Sequence, residues 1–148
     1  MTVVGSGQGC LVVRIEGSDP YDRQLVVRAN TSDFSGAVAT WSWDGDDLEE
    51  FGHALQAYPL PDNDPPTFVA GYPAWDGQPA FEQIRIEARQ VDTGGHIAVV
   101  VSLAPDPGQP FAVRLELRTT FEPLRRFGLQ LKRMHADTTD EARLDEDQ

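Results

Sequence analysis

Leu48-Glu49-Glu50-Phe51-Gly52-His53-Ala54-Leu55 and Leu124-Arg125-Arg126-Phe127-Gly128-Leu129-Gln130-Leu131 share one pattern, Leu-x-x-Phe-Gly-x-x-Leu, 76 positions apart. In both, the apolar residues recur at spacings of three and four, which places them on one helix face. Each copy follows a stretch in which apolar and polar residues alternate, the period of a half-buried strand. The doubled unit predicts two similar halves, each a group of strands followed by a helix. A mid-helix glycine costs about 1 kcal/mol relative to alanine. Gly52 and Gly128 therefore point to a helix lying close on the sheet or against its twin.

Before the first copy, residues 10–16 put Leu11, Val13 and Ile15 on one face, and residues 24–30 do the same with Leu25, Val27 and Ala29. Phe34 to Trp43 reads as a third strand with Ala37, Ala39, Trp41 and Trp43 facing in. The first helix is expected to be capped by Asp46, with Glu49 completing a capping box, and to carry the stripe Leu48, Phe51, Leu55 and Tyr58. Pro59 and Pro61 stop it. The second half reads as strands at Phe81–Val91, His96–Leu103 and Phe111–Arg118, with a hairpin turn at Asp92-Thr93-Gly94-Gly95. Its helix starts at Thr119 or Thr120 with the stripe Phe121, Leu124, Phe127, Leu131 and Met134. Under the 76-residue shift, Ala37, Ala39 and Trp41 land on Val113, Leu115 and Leu117.

The expected architecture is α+β and two-layered: a mostly antiparallel six-stranded sheet, two helices on one face, and a βββα–βββα pseudo-repeat. Residues 10–135 read as a single α+β domain. Residues 1–9 read as a flexible N-terminus, and 136–148, with Asp137, Asp140, Glu141, Asp145, Glu146 and Asp147, as an acidic disordered tail.

The 148 residues suffice for a core without covalent staples, since a chain of this size buries roughly 68–70% of its unfolded surface. The net charge of −12 argues against nonspecific nucleic-acid binding and against an anionic membrane surface. It favours solubility and suits a basic partner. Cys10, the one cysteine, excludes an intramolecular disulfide and reads as a small hydrophobe. The N-terminus lacks the pattern of a signal peptide, and no run approaches the roughly 20 apolar residues that span a bilayer. The expected compartment is the cytoplasm.

No catalytic residue set stands out. His53, His96 and His135 lie in no metal-ligand spacing, and Asp44-Gly45-Asp46-Asp47 lacks the rest of a calcium loop. Gly5-Ser6-Gly7-Gln8-Gly9 has neither the spacing nor the following helix of a phosphate loop. No metal and no cofactor are implied. Two surface features remain. The acidic cluster Asp44, Asp46, Asp47, Glu49 and Glu50 suits the helix dipole and equally suits a basic partner. The stretch Pro59–Pro79, with Phe68, Tyr72 and Trp75, is long for a plain connection. It reads as a proline-stiffened wrap or as a binding loop anchored by Trp75, with Thr67–Ala70 as a short edge strand.

The unit Phe34-Ser35-Gly36…Trp43…Asp47-Leu48-Glu49-Glu50-Phe51…Leu55, the segment Asp92–Leu103 and the closing Phe121…Leu124…Phe127…Leu131 resemble an uncharacterised bacterial domain-of-unknown-function family. More distantly, they resemble the WapI-type immunity proteins of polymorphic toxin systems. The resemblance covers about residues 10–135 and rests mostly on core positions. It implies a non-catalytic protein that neutralises a cognate toxin domain, such as a nuclease, by occluding it. The partner-binding residues would then be Asp44, Asp46, Asp47, Glu49, Glu50, Phe68, Tyr72 and Trp75. The competing expectation is a small-molecule-binding or regulatory module with a pocket between sheet and helices near Trp41, Trp43 and Trp75. An exposed edge strand also leaves room for a homodimer.

Overall fold

The computed structural model describes residues 2–4, 9–17, 23–108, 111–135 and 140–146. The strands among the described residues are β1 (Thr2–Val4), β2 (Cys10–Glu16), β3 (Gln24–Asn30), β4 (Ser35–Thr40), β5 (Thr67–Tyr72), β6 (Phe81–Gln90), β7 (His96–Leu103), β8 (Val113–Thr120) and β9 (Glu141–Asp145). Helix α1 (Gly45–Ala54) follows β4, and α2 (Phe121–His135) follows β8. The α+β class and the two helices are as expected. The single six-stranded sheet is not. The strands form two antiparallel sheets of four, β4-β3-β2-β9 and β8-β7-β6-β5, and β1 adds a short parallel strand outside β8.

The two sheets share one core with both helices. Leu11, Val13, Leu25, Val27 and Val38 from one sheet join Phe68, Ile84, Ile86, Val99, Val101, Leu115 and Leu117 from the other. Alternation along a strand specifies an inward face. It does not say whether two sets of strands lie side by side or face each other, and here they face each other. The corner between β4 and β5 is held by polar bonds instead of a strand ladder. Gly71 donates its N–H to the Ser42 carbonyl at 3.1 Å, and Ser42 Oγ donates to the Gly71 carbonyl at 2.6 Å. Thr40 Oγ1 donates to Gln83 Oε1 at 2.6 Å across the buried space between the sheets.

On the outer face of the second sheet, central strand β7 buries Ala98 and Val100 as well. Glu87 and Glu116 flank Val100, and Arg89 and Arg118 flank Ala98. These charged residues pair along their own strands, Arg89 with Glu87 at 3.0 Å and Arg118 with Glu116 at 2.7 Å. The arginine side chains stay about half exposed, while Glu87 and Glu116 are largely covered beside the apolar centre.

The helix register follows the repeat. α1 begins at Gly45 and α2 at Phe121, 76 residues later. The helices cross at the paired glycines: a Cβ on Gly52 would sit 2.6 Å from the Gly128 carbonyl oxygen, and one on Gly128 2.5 Å from that of Gly52. α1 also touches β5, and α2 lies along β8 and β9. The strand register departs from the repeat. β4 buries Val38 and Thr40 and exposes Ala37, Ala39 and Trp41, whereas Leu115 and Leu117 are buried. β8 runs straight into α2. β4 stops at Thr40, and four residues intervene before α1. That changes the parity, so the expected inward set Ala37, Ala39 and Trp41 is corrected to Val38 and Thr40.

Smaller corrections concern the ends. Asp44, not Asp46, caps α1, its Oδ1 accepting the Asp46 N–H at 2.8 Å. Tyr58 lies beyond the helix and is exposed, and Phe111 lies before β8 and is exposed. The expected disordered tail contains β9, which pairs with β2 from Cys10↔Asp145 to Arg14↔Glu141 and buries Ala142 and Leu144. The alternation Glu141-Ala142-Arg143-Leu144-Asp145 is a strand pattern masked by its charged outer face. Glu146 is buried as well. Its Oε1 accepts the Gly9 N–H at 3.1 Å, and its Oε2 accepts the Arg118 N–H at 2.8 Å. One carboxylate thus joins β8 to the start of β2. The expected flexible N-terminus contributes β1 and the buried Gly9, while residues 1 and 5–8 lie outside the described residues, as do 136–139, 147 and 148.

Candidate interaction surface

The acidic cluster follows from the cap. Asp44 ends the extended segment after β4, and Asp46 and Asp47 occupy the first turn of α1, where the helix dipole favours negative charge. The helix then separates the five acids. Asp47 and Glu50, one turn apart, line an open groove of about 690 Å³. Its far wall is the proline-rich segment with Pro61, Asp64, Pro65 and Pro66, and its end is Thr67–Val69 of β5. Asp44, Asp46 and Glu49 do not line it. Asp64 does, and sequence reasoning missed it. Its only signal was an acid set between Pro61 and Pro65. Phe68 is 1% exposed and packs against Phe51 with ring centroids 6.0 Å apart. It belongs to the core beneath the groove and reaches the groove lining only at its end.

Tyr72 and Trp75 lie at the other end of β5, about 17 Å along the strand at 3.3–3.4 Å per residue. Trp75 and Gln78 exchange two backbone hydrogen bonds, at 3.1 and 2.8 Å. Asp76 and Gly77 between them both have positive φ, the backbone of a tight hairpin turn. The turn displays Trp75 at 77% exposure. Tyr72 stacks on Phe81 with centroids 6.4 Å apart. Tyr72, Pro73, Trp75, Pro79, Phe81 and Pro107 line an apolar hollow of about 450 Å³. Of the three tryptophans near the expected pocket, Trp75 lines this hollow and Trp41 and Trp43 do not. Trp43 packs against the core, its Nε1 donating to the Arg23 carbonyl at 3.1 Å, and Trp41 stands 66% exposed.

The groups with shifted pKa values lie elsewhere, on exposed pairs. The hydrogen bond from His96 holds the Asp92 carboxyl below its ordinary value, helped by the Gly94 and His96 backbone N–H groups of the β6–β7 turn. Arg125 does the same for Glu122 at the start of α2. Among the described residues, no three His, Cys, Asp or Glu side chains converge as a metal site would require. No helix of the described chain is long and apolar enough to cross a membrane. The geometry offers an acidic groove and an aromatic hollow at opposite ends of one edge strand. Both are open, and both are suited to holding a surface. The chain matches no protein-family model, and no curated protein matches it.

Proposed function

We propose that this protein acts by binding another protein, without catalysing a reaction, and that the partner is a bacterial toxin domain held inactive by occlusion in the cytoplasm of the producing cell. The observation that carries this reading is the groove in which Asp47, Glu50 and Asp64 line one open channel on a chain of net charge −12. Such a surface complements a basic one, and complementary charge speeds association at low salt. Nuclease toxins fit this chemistry, because a groove that holds phosphates is itself basic. The immunity role comes from the resemblance to WapI-type proteins. The acidic groove supports it by supplying a surface that such a partner would need.

The test is protection of cells by co-expression with the product of the gene beside this one, expressed as the candidate toxin. Wild type should protect. Asp47→Lys combined with Glu50→Lys should abolish protection while leaving the fold intact, because both residues are on the solvent side of α1. Binding of the purified pair should weaken as salt rises. Equal protection by the double variant would remove the groove from the mechanism, and a neighbouring product that neither binds nor harms cells would remove the toxin reading.

A small-molecule module is the second reading, favoured by the apolar hollow beside Trp75. It calls for ligand-dependent rises in thermal stability that Trp75→Ala abolishes.

A further inference from the structure

Sheet edges carry unsatisfied backbone groups, and proteins usually guard them with charge, proline, bulges or shortness. Three described edges here are guarded. β5 lies between Pro65-Pro66 and Pro73 and is bulged between Ala70 and Gly71. β9 carries Glu141, Arg143 and Asp145, and β1 is three residues long. The fourth edge, β4, has the sequence Ser35-Gly36-Ala37-Val38-Ala39-Thr40, with no charge, no proline and no register shift.

The β3–β4 hairpin shows which of its backbone groups are open. Thr31 donates its N–H to the Phe34 carbonyl at 2.7 Å, so this is a bonded pair. Bonded and non-bonded pairs alternate along an antiparallel ladder. Gly36, Val38 and Thr40 therefore exchange bonds with Ala29, Val27 and Leu25, their register partners. Ser35, Ala37 and Ala39 turn their N–H and C=O groups away from β3. Their side chains are small and exposed, and the exposed aromatics Phe34 and Trp41 stand at the two ends.

We propose that β4 is where a partner protein adds a strand: an extended segment, neutral in the middle and basic at its ends, pairs with Ser35, Ala37 and Ala39 and widens the four-stranded sheet to five. The proposal rests on the protein-binding reading above and names the chemistry of the segment bound. Charge selects the occupant. Asp33 lies just before the strand and Asp44 just after it, both exposed, so basic ends are favoured. Arg28 lies opposite Ala37 on the neighbouring strand, which disfavours a basic centre. A second copy fits less well. Twofold pairing would set Ala37 against Ala37 and cover little apolar surface, while bringing together two chains of net charge −12. Small side chains on the edge leave room for larger ones on an incoming strand, between Phe34 and Trp41.

The probe is a synthetic peptide with two lysines at each end and alternating valine and threonine between, titrated into the full 15N-labelled chain. The amide signals of Ser35, Ala37 and Ala39 should shift, and these amides should exchange more slowly. The same peptide N-methylated at alternate residues should bind at least about tenfold more weakly, since each lost backbone bond removes roughly 1 kcal/mol. Ala37→Pro removes one outward N–H and no β3–β4 bond, so the chain should stay folded and lose binding. Should that variant unfold, the methylated peptide still decides on the native chain. Equal binding of the methylated peptide, shifts confined to α1, or protection of these amides that rises with protein concentration without peptide would each overturn the proposal. Toxin protection retained by folded Ala37→Pro would overturn strand addition alone. The Asp47 and Glu50 reversals test the wider reading separately.

Discussion

At Gly52 and Gly128 the helices approach until the carbonyl oxygen of one stands where a Cβ of the other would be. Helix propensity by itself favours Gly→Ala by about 1 kcal/mol. Packing opposes it, because a backbone carbonyl cannot rotate away and overpacking costs ~1–3 kcal/mol or more. Gly128→Ala should therefore destabilise the fold by about 1–2 kcal/mol in urea unfolding. A variant as stable as wild type would refute the crossing. Glu146 is a second residue whose role depends on distant partners. Glu146→Gln places an NH2 group where an oxygen now accepts a backbone N–H, and should cost about 1–3 kcal/mol. Neither partner, Gly9 or Arg118, is near it in sequence. Asp92 makes stability depend on pH. Its folded pKa is lowered, so the stabilisation is present above its unfolded value and lost as pH falls through the lower folded one. Thermal melts of Asp92→Asn should show a flatter decline below about pH 4 than wild type.

The strands and helices differ in how much of themselves they showed in sequence. β6 has one apolar face, with Ile84, Ile86 and Ala88 buried as their alternation implied; β7 buries the expected Ile97, Val99, Val101 and Leu103, and Ala98 and Val100 on its other face as well. α2 is similar: Leu124, Phe127, Leu131 and Met134 are all fully buried. β4 was ambiguous because both its faces are apolar or small, and the choice between Val38 and Ala39 was made by packing. β9 was hidden by acidic neighbours. Its burial has a measurable consequence: Leu144→Ala should cost roughly 2–5 kcal/mol, the usual range for a buried leucine. In a solvated tail the same change would cost nothing, so an unchanged melting temperature would return the segment to that description.

For the whole molecule, one core joins both sheets and both helices, and it contains residues from β2 at one end of the chain to β9 at the other. Such a core should unfold as a unit. Far-ultraviolet circular dichroism, which follows the helices, and the fluorescence of half-buried Trp43 should give coincident transitions. Two separated transitions would mean that the sheets are independent. The candidate surface also belongs to this scale. Asp47, Glu50 and Asp64 meet only because α1 and the proline-rich segment are both anchored to β5. The acidic cluster was visible as composition. Its division into groove-lining and outward members was not, because that depends on where α1 lies.

The sequence by itself determined the α+β class, the two helices with their buried stripes, the inward faces of β2, β3, β6, β7 and most of β8, and the closeness of a partner at each helix glycine. These follow from local periodicity and local steric cost, which neighbouring residues suffice to express. The tertiary structure decided the rest: two facing sheets in place of one, the parity of β4, the strand within the acidic C-terminal segment, the burial of Phe68 and Glu146, and the open edge of β4. Each of these depends on contacts between residues far apart in the chain, and no local pattern specifies which of two apolar faces another element will cover.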